Sequence, residues 1–247
     1  VSRDERSFEA DLTPQPVPSA IESGPLELLG LLPNSSNYTF LARASAGGEE
    51  MLVVYKPHRG ENPLWDFPGG LGRREVAAYV VAASLGWPNV PPTVLREGPE
   101  GIGSVQRFVP FEPQEHYFTL QQRHPDAFRA IATFDLVVNN ADRKGGHCLL
   151  GEDGRIWAID HGVCFHVEPK LRTVIWEYMD EAIPQELVDD VGALGEALGR
   201  GSAPCDRLAG LLADDEVAAL RRRIVTLVGD PVFPTPIGER PYPWPPV

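Results

Sequence analysis

The stretch Asn139–His166, NNADRKGGHCLLGEDGRIWAIDHGVCFH, decides how this chain is read. It carries two acidic residues in loop contexts, Asp142 and Asp160, each beside a strong apolar run. Between them, Cys148-Leu149-Leu150 and Ile156–Ile159 flank the turn Gly151-Glu152-Asp153-Gly154, which predicts a short β-hairpin. A hairpin folds its two ends back together, so Asp142, His147 and Asp160 are expected to line one small polar pocket. Such a pocket has the residue types of metal-assisted phosphoryl transfer: carboxylates for a cation, and one carboxylate to orient an attacking hydroxyl.

The chain before this stretch supplies a matching scaffold. Leu26–Leu32, Tyr38–Ala44 and Met51–Tyr55 read as three strands, separated by the polar turn Pro33–Asn37 and the turn Ala46-Gly47-Gly48. The third strand ends on Lys56, the order of a nucleotide-binding sheet. Ser35, Ser36 and Asn37 can offer backbone N–H groups and hydroxyls to phosphate oxygens, or form an ordinary hairpin loop. Arg73–Leu85 reads as a helix stopped by Gly86, with Glu75 in its first turn. That carboxylate either reaches across to Lys56 or answers the helix dipole. Thr93–Arg96 and Gly103–Phe108 predict a further hairpin, and residues 57–72 an irregular insert.

Beyond residue 110 the pattern turns helical. Pro125–Val138 carries the buried stripe Ile131, Phe134 and Val138 and delivers the chain into Asn139. Amphipathic helices are expected near Gln185–Leu198 and Asp214–Val228. Residues 1–25, charged and then proline-rich, read as an arm on the surface or a disordered segment. The proline-rich tail 231–247 is expected to wrap the domain through Phe233, Tyr242 and Trp244. The expected organisation is an arm (1–19), a β-rich part (20–108), a mostly helical part (109–230) and the tail (231–247).

Bulk properties exclude several classes. The 247 residues are 43% hydrophobic and 23% charged, ordinary for a globular protein. A formal net charge of −13 argues against a nucleic-acid partner, since phosphate backbones reward clustered Lys and Arg. No run approaches the roughly 20 apolar residues of a membrane span, and no signal-like segment opens the chain, so no integral membrane segment and a cytoplasmic location are expected. Cys148, Cys164 and Cys205 have no paired CxxC spacing and read as reduced, structural thiols.

At these residues the sequence resembles the phosphatidylinositol 3-/4-kinase family, and within it a bacterial, soluble form of the type II phosphatidylinositol 4-kinase branch. Asp142-Arg143 followed by His147 is similar to that family's catalytic-loop pattern, and Ala158-Ile159-Asp160-His161-Gly162 to its metal-binding Ile-Asp-x-Gly. Val54-Tyr55-Lys56-Pro57 with Asn62-Pro63-Leu64-Trp65 resembles the nucleotide-lysine segment and its insert. Arg74–Tyr79 resembles the helix bearing the partner glutamate, and Ser35-Ser36-Asn37-Tyr38 the phosphate loop. The resemblance implies an α+β, two-lobed, protein-kinase-like fold with a small β-rich N-terminal lobe and a mostly helical C-terminal lobe. It implies ATP as cofactor with Mg²⁺, or Mn²⁺ as an alternative, and transfer of the γ-phosphate to a hydroxyl of a protein, lipid or small molecule. Lys56 would grip phosphates and Glu75 would hold it. Gln106, Phe108 and Val109 would form the connector that meets adenine, and Asp142, with Arg143 and Lys144 beside it, would serve catalysis. Asp160 and His147 would hold the metal.

The sequence departs from the family in two places: His147 stands where the family has a metal-binding Asn, and His161 where it has Asn or Phe. Imidazole is an uncommon Mg²⁺ ligand. Arg143 in such a loop braces by ion pairing more often than it reacts, and Lys170 and Arg172 are positioned to meet an anionic acceptor. Three readings follow: an active kinase, a nucleotide-binding regulator on the same fold, and AMP transfer to protein.

Overall fold

The computed structural model describes residues 17–33, 37–199, 201–236 and 240–247. Leu26–Leu31 (β1), Phe40–Ala46 (β2), Glu49–Pro57 (β3), Thr93–Gly98 (β4) and Gly101–Arg107 (β5) form one antiparallel sheet in the order β1-β2-β3-β5-β4. Strand alternation puts Ala42, Ala44, Val53, Tyr55 and Val105 on one face, all fully buried. A short helix, Ser19–Ser23 (α1), inserts Ala20 and Ile21 into that face. Burying Ile21 alone is worth about 1.5–3 kcal/mol. The expected surface arm through residue 25 is therefore corrected: from Ser19 onward the chain is part of the sheet's core.

Lys56 alternates with Tyr55 and so lies on the opposite face of the sheet. Over this face passes Leu71–Leu85 (α2), close enough that a Cβ on Gly72 would sit 3.3 Å from the Ser104 nitrogen. Because α2 starts at Leu71, Glu75 lies beyond its first turn, and the expected dipole role falls away. The α2 N-terminus is served instead by Glu61, whose two carboxylate oxygens accept from Gly70 N–H and Gly72 N–H at 3.0 Å each.

The main core is helical. Pro125–Val138 (α4) opens on proline, whose fixed φ suits a first helical turn, and closes on Asn139 in the left-handed region at φ 53°. Its Phe128, Ile131 and Phe134 pack with Leu194 of Gln185–Gly199 (α5), Leu220 of Asp214–Gly229 (α7) and the alanine-rich side of α2. Thus α2 belongs to the helical core while reaching the sheet. The short helices Tyr117–Leu120 (α3) and Ala203–Ala209 (α6) complete this part; neither is long enough to leave a periodic signal. The expected hairpin is present as Cys148–Leu150 (β6) and Ile156–Ala158 (β7), with Cys148 opposite Ala158.

The chain is therefore α+β, an antiparallel sheet with helices. Phe233 of the tail is buried against Tyr178, and its backbone N–H donates to the Glu181 carbonyl at 3.0 Å. Cys148 and Cys164 are buried free thiols, and burial pushes the Cys148 thiol up to about 12. Among the described residues, no helix is long and apolar enough to cross a membrane.

Candidate active site

The site begins at the end of β3. Lys56 Nζ donates to Glu75 Oε1 at 2.5 Å and to Asp160 Oδ1 at 2.8 Å. One lysine thus ties a sheet strand to α2 and to the loop after β7. Burial alone would lower the lysine's pKa, but Asp160 and Glu75 reverse that and hold it above its ordinary value. Glu75 is 4% exposed and its other oxygen accepts from His161 N–H at 3.0 Å, so α2 also fixes the backbone beyond Asp160. Gly162 allows this approach, since a Cβ there would lie 3.3 Å from Leu71 Cβ.

Asp160 has φ 60°, a left-handed conformation uncommon for an aspartate and characteristic of sites where the surroundings over-determine the backbone. Its second oxygen, Oδ2, lies 3.1 Å from His147 Nε2. Burial opposes its ionisation, but Lys56 and His147 outweigh that and keep the carboxyl well below its usual range. The His147 Nδ1 accepts from the Lys144 N–H at 3.4 Å, leaving Nε2 to carry the proton toward Asp160. Burial lowers its pKa to about 4, so His147 is neutral near pH 7. In this arrangement His147 serves as a donor to the Asp160 carboxylate.

The catalytic-loop candidate Asp142 is placed by two asparagines. Asn139 donates from Nδ2 to the His166 and Glu168 carbonyls and accepts from Lys170 N–H. Asn140 accepts from Asp142 N–H at 2.9 Å. Burial pushes the Asp142 carboxyl up to about 6, with Asp160 adding to it and Lys144, 3.5 Å away, opposing it. A carboxylate tuned to that range is suited to general-base work near neutral pH.

Of the two roles expected for Arg143, bracing and reacting, its contacts are those of a brace. It is fully buried, and its Nε and Nη2 form a two-pronged pair with Asp135 of α4 at 2.9 Å each. Nη1 donates to the Ile159 carbonyl at 3.0 Å and the His147 carbonyl at 3.3 Å, and Nη2 meets His161 Nε2 at 2.7 Å. Its donors thus tie the Asp142 loop both to α4 and to the Asp160 loop. His161 is neutral, its pKa driven well down by burial and by Arg143.

The expected connector is also revised. Gln106 lies inside β5, opposite Val54 and Thr93, and its amide donates to Thr93 Oγ1 at 2.8 Å. Phe108 N–H is taken by the Leu52 carbonyl at 3.0 Å. Phe108 and Val109 follow the last residue of β5, and Val109 packs against Leu149 and Trp157. Ser35 and Ser36 fall outside the described residues; Asn37 holds the insert by accepting from Asn62 N–H at 2.8 Å. Lys170 and Arg172 both turn to Asp66 of the insert, at 3.7 and 2.6 Å.

The sequence reading missed Asp135, Asp66 and Glu61. An aspartate eight residues before Arg143 on an apolar helix was the available signal for Asp135, and only the fold shows it facing inward.

No family model matches the chain. Its sequence is kinase-like: it is 28% identical over 206 residues to phosphatidylinositol 4-kinase gamma 4 of Oryza sativa subsp. japonica, covering 66% of this chain and 35% of that protein. The chain therefore spans about a third of that plant relative, and the match does not single out the type II branch. It is 40% identical over 263 aligned positions to Protein Rv2133c of Mycobacterium tuberculosis, covering 92% of this chain and 94% of that protein, and it belongs to the family of that mycobacterial protein. Among solved structures it is similar to the Helicobacter pylori proinflammatory kinase CtkA, with a TM-score of 0.48 and 12% identity, over 85% of this chain and 93% of that one.

Proposed function

We propose that the chain is an ATP-dependent phosphotransferase with a two-lobed kinase arrangement, moving the γ-phosphate of ATP to a hydroxyl acceptor. The observation that carries this reading is the ion-pair chain Glu75–Lys56–Asp160 beside the half-buried Asp142. Phosphoryl transfer needs a lysine on the phosphates, an acidic residue for a cation and a carboxylate that orients the attacking hydroxyl. Lys56, Asp160 and Asp142 supply these in one place. On binding, Lys56 would exchange its contact with Asp160 for phosphate oxygens while Glu75 keeps it aimed. Asp142 would accept the proton of the hydroxyl as it attacks.

The residues fit a Mg²⁺ ion that arrives with the nucleotide. Among the described residues no three His, Cys, Asp or Glu side chains form a cluster able to hold a metal alone. Mg²⁺, however, is commonly held by one or two carboxylates plus substrate phosphates. Asp160, with 43% of its side chain open to solvent, would hold it, with Asp142 facing it. The ion would neutralise phosphate charge.

A second reading, a nucleotide-binding regulator, is favoured by one feature: both Asp160 oxygens are engaged, by Lys56 and by His147. The test is turnover of ATP with Mg²⁺ or Mn²⁺ by the parent, Asp142→Ala and Asp160→Ala. The expected loss for Asp142→Ala is about 10²–10⁴-fold. Unchanged turnover in Asp142→Ala overturns the phosphotransfer reading, and ATP binding without turnover over a broad acceptor panel favours the regulator. The mass added to a modified acceptor separates a phosphate from an AMP adduct.

A further inference from the structure

The tail divides into two unlike parts. Residues 231–236 are anchored: Phe233 is 4% exposed, and Pro231 O and Phe233 O accept from Ile183 N–H and Asp180 N–H. Residues 240–247, Arg-Pro-Tyr-Pro-Trp-Pro-Pro-Val, lie along the catalytic loop, with Pro243 buried and most of the other side chains exposed or half-exposed. Pro246 O accepts from Gly145 N–H at 2.8 Å and Pro241 O from Thr173 N–H at 3.1 Å. The Tyr242 ring meets Trp176 edge-on, and Val247 lies beside Gly146. Tyr242, Trp244 and Val247 remain 53%, 87% and 55% exposed.

The surface under this segment has the features of a groove for extended polypeptide. Two backbone donors, Gly145 and Thr173, face it, and Phe118 and Trp176 supply aromatic walls. Main-chain donors give affinity to any extended chain, and aromatic walls suit proline-rich ones. Gly145 is the second residue after Arg143 in the catalytic loop, and Thr173 pairs with Arg143 itself. A Cβ on Gly145 would lie 3.0 Å from the Phe118 ring and 3.4 Å from Pro246 O, so the absence of a side chain there keeps the groove open to a backbone. The Trp176 indole N–H, itself buried, finds no acceptor among the described residues.

We infer that this groove takes an extended polypeptide and that residues 240–247 occupy it in cis, as a displaceable stand-in. Resting on the phosphotransfer reading, this makes the acceptor a polypeptide that approaches Asp142 along Gly145 and Thr173, in competition with the chain's own tail.

Hydrogen–deuterium exchange tests the groove without relying on activity. In the parent, the Gly145 and Thr173 amides should exchange slowly. Removing residues 240–247 should speed both at least tenfold and leave the β3–β5 amides unchanged. The synthetic peptide Arg-Pro-Tyr-Pro-Trp-Pro-Pro-Val should then restore protection saturably in the shortened chain, and bind the parent at least tenfold more weakly. Amides that stay slow without the segment, or a peptide that fails to restore them, overturn the inference. Should the shortened chain unfold, Tyr242→Ala in the full chain carries the test: the same two amides must speed up, and unchanged exchange overturns the inference. ATP binding by the parent, measured in parallel, separates the two ideas, because its absence would sink the phosphotransfer reading and leave the groove result standing.

Discussion

Two cations, each held by carboxylates, organise this molecule, and they differ in their access to solvent. Arg143 and Asp135 are 0% and 1% exposed. Lys56 and Asp160 are 25% and 43% exposed, though the same lysine also grips the buried Glu75. Arg143 spends its donors on protein oxygens and on His161, so nothing else can use it. Lys56 shares itself between one buried carboxylate and one that faces solvent. The closed pair is a brace that fixes loops; the half-open pair can trade a partner for a ligand.

That contrast can be broken most severely at the brace. Asp135→Ala leaves Arg143 buried without its counter-charge and should cost about 3–5 kcal/mol of stability, read by urea denaturation. A loss under about 1 kcal/mol would show that the two pairs are not different in kind.

The half-open side is sharpened by pH. The Asp142 carboxyl is raised from an ordinary 3.8 to about 6, so between those values the folded chain binds more protons than the unfolded one. Its contribution to stability is therefore complete below about pH 4 and lost as pH rises through 6. Asp142→Asn should stabilise the protein at pH 8 by up to about 3 kcal/mol, at 1.36 kcal/mol per pH unit, and by nothing below pH 4. Thermal melts of both proteins across that range check the sign. His147 works in the opposite direction: lowered from 6.5 to about 4, it contributes stability above 6.5 that is lost as pH falls through 4. The two groups offset each other in the parent, which is why the single variant is informative.

The smallest effect lies at the frame that aims Glu75. Glu61→Ala uncaps two N–H groups of α2 and should cost about 1 kcal/mol. A melt unchanged from the parent would show that water replaces the carboxylate without loss.

The legible part of this structure was whatever repeats or turns sharply. Pro125–Val138, the β6–β7 hairpin and the strand leading to Lys56 could be read because apolar period, proline and glycine mark them locally. Lys56, Glu75, Asp142 and Asp160 could be placed together because a hairpin and a strand end constrain where they go. Asp135 could not, because an acidic residue on a helix looks solvated until a neighbour two elements away is known. The partner of Lys170 and Arg172 could not be read for a related reason: Asp66, which takes both, sits in an irregular insert with no periodicity to orient it. The helix Ser19–Ser23 was lost among prolines, being too short to show a face.

The central claim is that Lys56 is held ready for a nucleotide. Titration calorimetry of ATP with Mg²⁺ against the parent and Lys56→Met tests it most directly. Saturable binding by the parent and roughly 10–100-fold weaker binding by Lys56→Met are expected, the range for a lost charged hydrogen bond. Equal affinity in the two proteins, or no binding by the parent, would contradict it.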